Sequence, residues 1–443
     1  MDMTENRRSV RRGIPSVISR SLEYLAALLF FLMLVAPFEF NFVKIGAISA
    51  LVIASLIMIL VSKKIHVAKP FLLWYLIFIG FGVFFSLWAF LIRSNRIDFI
   101  LRSMPVNIIW PFLYLLMTAH INSYRAIILM HKTMIFGSLI ISLYLIFAAL
   151  SYLGILPISP NAFSLAKVVV GKYEASVQLF LPSTTSLLFL LPFTISYTLL
   201  QIYKVEKTNF IYLVFTIVLS VAAVVITARR ALILNLLLSP ILIYIFLSLS
   251  QIKLSSATKN NLRVIFMYSA IFSTIGCIIL IKYEILNLDP LIELFINGFD
   301  FSEKSLDEGS SVRAEQSSGL IRSWIDYPIL GSGLGSSSEY IVRSEVTPWI
   351  YELSYLALLY QTGIVGLILY FSLLIWIPFK GITLIRSNEN LIFLIPYLVG
   401  YTCFLIGNAS NPYVSAFDHM WTIFLPLGVM NFCFYNKKAK LIK

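Results

Sequence analysis

The stretch "VVITARRALIL", Val224 to Leu234, sets two adjacent arginines, Arg229 and Arg230, inside a long and otherwise apolar run. A charge at the centre of a bilayer costs about 2.5 to 3.5 kcal/mol on insertion scales, so such a pair belongs at a membrane surface or at a site that uses it. Two readings are open. The side chains snorkel to lipid phosphate, or they form an anion site, because a guanidinium presents a planar fork of donors that matches phosphate oxygens. The same choice applies to Arg93, Arg96 and Arg102 in "RSNRIDFILRS".

Further along, "VRAEQSSGLIRSWIDYPILGSGLG", Val312 to Gly335, carries Arg313 and Arg322 ahead of Gly331, Gly333 and Gly335. The pattern predicts a helix from Val312 to Trp324, opening after the cap-like Ser310 and Ser311 and closed by Pro328. The glycines read either as a helix stop and re-entry turn or as a cradle for an anion; no nucleotide-loop context surrounds them. On one helix, Arg313 and Arg322 point to opposite faces. Arg322 is then a solvated or headgroup contact, or a weaker candidate for the same anion. Next comes "YELSYLALLYQTGIVGLILY", Tyr351 to Tyr370, with Glu352 at its head. That carboxylate either takes a proton from a reacting hydroxyl or complements a helix dipole. Asp418 and His419, at the start of the last apolar run, pose the same alternative of base or cap. Cys277, Cys403 and Cys433 lack metal-ligand spacing, as do His66, His120, His131 and His419, so no metal and no cofactor is expected.

The elements that must position these residues are helices in a membrane. Of the 443 residues 59% are hydrophobic and 12% charged, and the mean hydropathy is +0.89, well outside the soluble range. Apolar runs long enough to cross a ~30 Å hydrocarbon core recur from end to end. They predict an all-α polytopic membrane bundle, a single membrane domain over 1–443, with about twelve spans near 21–38, 43–62, 71–92, 104–119, 133–153, 182–202, 209–227, 231–249, 264–283, 363–379, 391–407 and 417–434. Alternating strand-like segments are absent from this reading, and so is an internal repeat. The basic leader "NRRSVRRGIPSVISRS" lacks a small-residue cleavage site, so the first run is expected to stay as a membrane helix. Lysine and arginine are distributed so that both termini fall in the cytoplasm. Two outer loops follow, near 154–181 and a long, acidic one at 284–350. The "TARR" turn then faces outward. The sequence pI of about 9.5 arises from loops that set topology, which excludes nucleic acid as a partner.

Arg313 lies fifteen residues ahead of "PILGSGLG", which is followed by a helix containing Tyr355, Leu356, Gly363, Ile364 and Gly366. This combination resembles the conserved loop of the O-antigen polymerase and O-antigen ligase superfamily, integral membrane glycosyltransferases. "ARRAL" resembles the family's other arginine motif, with Arg229 at the matching position and Arg230 where the family has glycine. The similarity covers roughly 220–370. Where ligases carry a histidine at the head of the second helix, this chain has Glu352, which favours polymerase.

The resemblance implies a multi-pass protein of the bacterial inner membrane with its site facing the periplasm. It implies transfer of a glycan from an undecaprenyl-diphosphate-linked donor to a sugar hydroxyl on a lipid-linked acceptor, without metal. Arg229, Arg230 and Arg313, with Arg322 as a weaker candidate, would meet the diphosphate. Glu352 would be the base, and Tyr355, Gly331 and Gly333 would contact substrate. Membrane lipid and a chain-length regulator protein are the further partners. A ligase joining polymer to a lipid A core is the first alternative, and a flippase or transporter is an alternative of another class.

Overall fold

The computed structural model describes residues 16–62, 67–118, 121, 123–152, 154–159, 169–173, 176–200, 210–227, 229–251 and 308–437. In chain order the helices are α1 (Ser16–Val35), α2 (Asn41–Ser62), α3 (Lys69–Leu91), α4 (Ile97–Met104), α5 (Trp110–Thr118), α6 (Tyr124–Tyr152), α7 (Leu187–Leu200), α8 (Phe210–Thr227), α9 (Arg230–Leu249), α10 (Glu308–Ile325), α11 (Ser354–Ser387), α12 (Ile395–Asn408) and α13 (Phe417–Lys437). Among the described residues nine helical stretches are long and apolar enough to cross a bilayer. The protein is a multi-pass membrane helical bundle. The expected span at 264–283, Cys277 and the part of the long loop at 284–307 lie outside the described residues.

Several spans depart from the sequence expectation for local reasons. The fourth is broken: a π-helical turn, Pro105–Ile109, joins α4 to α5. The fifth begins at Tyr124, because Arg125 is drawn to Glu23 (3.9 Å) and His131 is buried, so residues that read as loop are helical. α11 runs for 34 residues, from Ser354 to Ser387, instead of 363–379. In the region expected to be an outer loop without strands, β1 (Val169–Tyr173) pairs antiparallel with β2 (Ser176–Phe180), with Val169 opposite Phe180. The β-branched Val169, Val170 and Val177 favour that pairing.

The centre of the bundle is the pair α7 and α12, whose spans are 94% and 83% buried. They approach closely because small residues meet bulky ones: a Cβ on Gly400 would lie 2.8 Å from the Phe189 carbonyl, and one on Gly407 would meet Leu188 at 2.9 Å. Small residues at such contacts let helix backbones pack where lipid supplies no hydrophobic drive. Asn235 on α9 donates to the Cys403 carbonyl (2.8 Å) and ties a third helix to the pair. The peripheral helices turn large apolar side chains outward, Phe42 at 93% and Ile211 at 77% exposure, the surface a hydrocarbon solvent requires.

The two ends of the bundle differ. At one end, Ala68 N–H donates to Asn431, Ser123 to Glu23, and Arg386 to the Leu249 carbonyl. At the other, Phe38 N–H and Lys44 meet Asp418, Asn95 donates to the Ser332 carbonyl, and Ser354 bonds Asn408. The turn at Arg229, the 308–353 segment and the 409–416 loop all belong to this second end, as the alternation of spans requires.

Candidate functional site

The site starts from a joint between the two motifs singled out in the sequence. α11 is interrupted at Gly363, whose φ of 64° and ψ of −173° are open to glycine and costly for other residues. The break frees backbone groups that a continuous helix would pair internally. The glycine turn takes them up. Ser332 N–H donates to the Tyr360 carbonyl (3.0 Å) and Gly333 N–H to Gln361 (2.7 Å), while Ile364 and Val365 N–H donate to the Pro328 and Ile329 carbonyls (2.9 and 3.2 Å). Leu334 N–H donates to Phe85 on α3, and Trp88 Nε1 to the Gly331 carbonyl. "PILGSGLG" and "QTGIVG" are therefore two halves of one interlock.

This interlock assigns Gly331 and Gly333 differently from the expected substrate contact. The Gly331 amide is spent on the Tyr327 carbonyl and the Gly333 amide on Gln361. Their φ values are 66° and 90°, and a Cβ on Gly333 would collide with Ala89. Neither amide is left to cradle an anion. The glycines let the turn pack backbone to backbone.

α10 lies over the head of α11. Leu320 is fully buried among Tyr351, Ala357 and Tyr360, and Gln316 Oε1 accepts from Glu352 N–H at 2.9 Å. The helix begins at Glu308, so Ser310 and Ser311 sit in its first turn instead of capping it. On this base Arg313 Nε donates to Glu352 Oε2 at 3.0 Å, and Arg343 Nη2 reaches Glu352 Oε1 at 3.2 Å. Arg313 and Glu352 are partly buried, with side-chain exposures of 33% and 18%, and Arg343 is exposed, at 37%. Glu352 precedes the first turn of α11 and holds a cation on each oxygen.

Arg229 caps the start of α9 with extended backbone, and its carbonyl accepts the amides of Leu232 and Ile233. Burial pulls its guanidinium below the ordinary arginine range, and the phenol of Tyr413 opposes that. Tyr413, in a 3₁₀ turn between α12 and α13, is the residue that joins the parts. Burial raises its phenol pKa. Arg229 and Arg313 lower it, Glu352 raises it, and a hydrogen bond with Thr185 lowers it. Arg229, Arg313 and Glu352 thus each act electrostatically on this one phenol although they lie on three separated segments of the chain. The Tyr413 loop is fixed in place: Val414 N–H donates to Asn408 Oδ1, and Asn408 Nδ2 donates to Ser354.

The remaining expected residues are dispersed. Arg322 is exposed and stacks on Tyr340 at 4.3 Å, on the opposite face of α10 from Arg313. Arg230 is the first residue of α9, and its side chain lies outside the description. Tyr355 donates to the Leu405 carbonyl (2.8 Å) and packs at a tilt against Phe371, ring centroids 5.0 Å apart. It also lines a cavity of about 120 Å³, with Ser103, Asn107, Trp349, Asn408 and Ser415, whose wall includes the chain neighbours of both Glu352 and Tyr413. Of the arginines in "RSNRIDFILRS", Arg93 lies on the Tyr327 ring at 3.2 Å, Arg96 pairs with Asp98, and Arg102 lies 5.1 Å from the Trp349 ring. Asp418 is a structural pin, accepting from Lys44 (2.8 Å) and Phe38 N–H (2.7 Å), neither of them in its own helix. Among the described residues no group of three His, Cys, Asp or Glu gathers to hold a metal.

Tyr413, Arg343 and Gln316 escaped the sequence reading. Arg343 is flanked by Glu339 and Glu345 in a loop without a motif, and Tyr413 follows the polar "NASNP" segment; neither spacing points to chemistry. No family model matches the chain, and no curated protein sequence matches it.

Proposed function

We propose that this chain is a membrane glycosyltransferase that joins undecaprenyl-diphosphate-linked oligosaccharide repeat units into a surface polysaccharide, acting at the periplasmic face of a bacterial inner membrane. The observation that carries the reading is the ion-pair cluster of Arg313, Glu352 and Arg343 (3.0 and 3.2 Å) at the same end of the bundle as Arg229, whose guanidinium acts with that of Arg313 on the Tyr413 phenol. Two guanidiniums from distant segments suit a diphosphate, whose oxygens accept forked donors.

In the reaction the bond between the anomeric carbon and the diphosphate oxygen breaks, and its electron pair leaves with the lipid diphosphate. A hydroxyl oxygen of the acceptor sugar forms the new bond to that carbon and loses its proton to a base or to water. Negative charge grows on the leaving group, and each well-placed cation is worth about 3 kcal/mol of barrier. The half-buried setting of Arg313 and the desolvated one of Arg229 strengthen that stabilisation relative to water. The lipid tail stays in the bilayer beside the bundle. Glu352 in place of the ligase histidine favours polymerisation over transfer to a lipid A core.

Deleting the gene in its host tests the reading. Loss of a polymerase leaves single repeat units on the final acceptor, whereas loss of a ligase leaves polymer stranded on its carrier. Unchanged polysaccharide would contradict both.

A further inference from the structure

The chemistry of Glu352 points away from a base and toward a third arginine. Each oxygen of its carboxylate already faces a different guanidinium, Oε2 accepting from Arg313 at 3.0 Å and Oε1 ion-paired with Arg343 at 3.2 Å. Arg313 spends one donor on this contact, its Nε–H, out of the five a guanidinium carries, and Arg343 meets the carboxylate through Nη2 as an ion pair. About a third of each side chain remains exposed, so free donors reach solvent beside Glu352.

The loop leading into Arg343 is tied to α10 and to Tyr351. Ile341 packs on Gly319, where an added Cβ would meet it at 2.7 Å. Ser338 accepts from Tyr340 and Ile341 N–H and bonds Ser323 on α10 at 2.7 Å. Tyr351, next to Glu352, donates to the Ile341 carbonyl at 3.2 Å. Arg343 is thus positioned before any ligand arrives, and preorganised donors are the ones that act without reorganisation cost.

We propose that Arg343 is a third diphosphate-binding residue and that Glu352 is a positioning residue that spaces Arg313 and Arg343 for one anion. The assignment rests on the glycosyl-transfer reading. Charge supports it: the three guanidiniums of Arg229, Arg313 and Arg343 with the one carboxylate of Glu352 sum to +2. A sugar diphosphate diester carries two negative charges and gains about one more when the glycosyl bond breaks. Without Glu352 two adjacent cations would repel each other in the empty site. With it they stand ready as a pair.

The test uses the full chain purified into nanodiscs, with undecaprenyl diphosphate and undecaprenyl monophosphate as probes. The wild type is expected to prefer the diphosphate. Arg343→Ala is expected to weaken diphosphate binding roughly tenfold or more, the loss of one charge-assisted contact, and Arg343→Lys to recover part of it by keeping charge without the fork. Glu352→Gln is expected to weaken diphosphate binding and to leave the shape of the pH–rate profile unchanged. If Arg343→Ala binds the diphosphate like wild type while Arg229→Ala and Arg313→Ala do not, Arg343 is outside the site. If Glu352→Gln binds normally but turnover loses its low-pH limb, Glu352 is the base and the positioning role is wrong. A wild type that binds the monophosphate as well as the diphosphate overturns the glycosyl-transfer reading itself, and this assignment with it.

Discussion

Arg313→Ala separates a structural from a chemical role because the two carry different magnitudes. In the resting protein Arg313 makes one ion pair, with Glu352, and its side chain is 33% exposed. Partly exposed pairs contribute about 0.2–1 kcal/mol. Glu352 keeps its second partner, Arg343, so no buried charge is orphaned by the change. The expected loss of stability is therefore below about 1 kcal/mol, a shift in melting temperature of no more than about 2–4 °C. A cation facing a leaving diphosphate is worth about 3 kcal/mol in the transition state, which at 1.36 kcal/mol per decade is a loss of roughly a hundredfold in turnover. The assay is conversion of lipid-linked repeat units to polymer by protein in nanodiscs, resolved on a gel, beside thermal unfolding of the same preparations. The exchanged pair Arg313→Glu with Glu352→Arg is a second probe: it restores the ion pair and is expected to stay inactive. Polymer formed within about threefold of the wild-type rate, or activity lost only in step with unfolding, would refute the reasoning.

Other consequences concern the scaffold. Asp418→Ala strands Lys44, whose side chain is 4% exposed, and removing one partner of a buried pair costs about 3–5 kcal/mol; folded protein recovered from membranes should fall sharply, whereas recovery at wild-type levels would deny the pin. Gly333→Ala meets Ala89 at a φ of 90°, so about 2–6 kcal/mol of strain and overpacking is expected, read as loss of a monodisperse peak on size exclusion. Tyr351→Phe removes the acceptor of Ser338 N–H (2.7 Å) and should cost about 1–3 kcal/mol. Burial pushes the Tyr351 phenol up to about 12 from an ordinary value near 10. Its raised pKa contributes stability in full below pH ~10, lost as pH climbs toward ~12. The variant should unfold with a shallower pH dependence across that window, and an unchanged slope would count against the burial argument.

The bundle was legible because membrane spans announce themselves by length and hydropathy, and the described helices fall on the expected runs. The ends were not. The expected span ends at 379, yet α11 continues to Ser387, with Gly381 packed against Leu398 on its neighbour. The π turn at Pro105–Ile109 has no composition that distinguishes it from plain helix. The two arginine segments could be read as anion-binding candidates from residue type alone, but their meeting is tertiary. It depends on Tyr413, a residue with no local signal, and on a break at Gly363 whose partner turn lies about thirty residues earlier in the chain. The glycines were visible as a turn; what they turn against was not.

The most direct test of the central claim is the structure of the full chain in a lipid nanodisc with undecaprenyl diphosphate bound. Both phosphates are predicted beside Tyr413, with guanidinium nitrogens of Arg229 and Arg313 about 2.7–2.9 Å from their oxygens. A diphosphate bound at the opposite end of the bundle, beside Arg386 and Leu249, or one that touches neither arginine, would contradict the account.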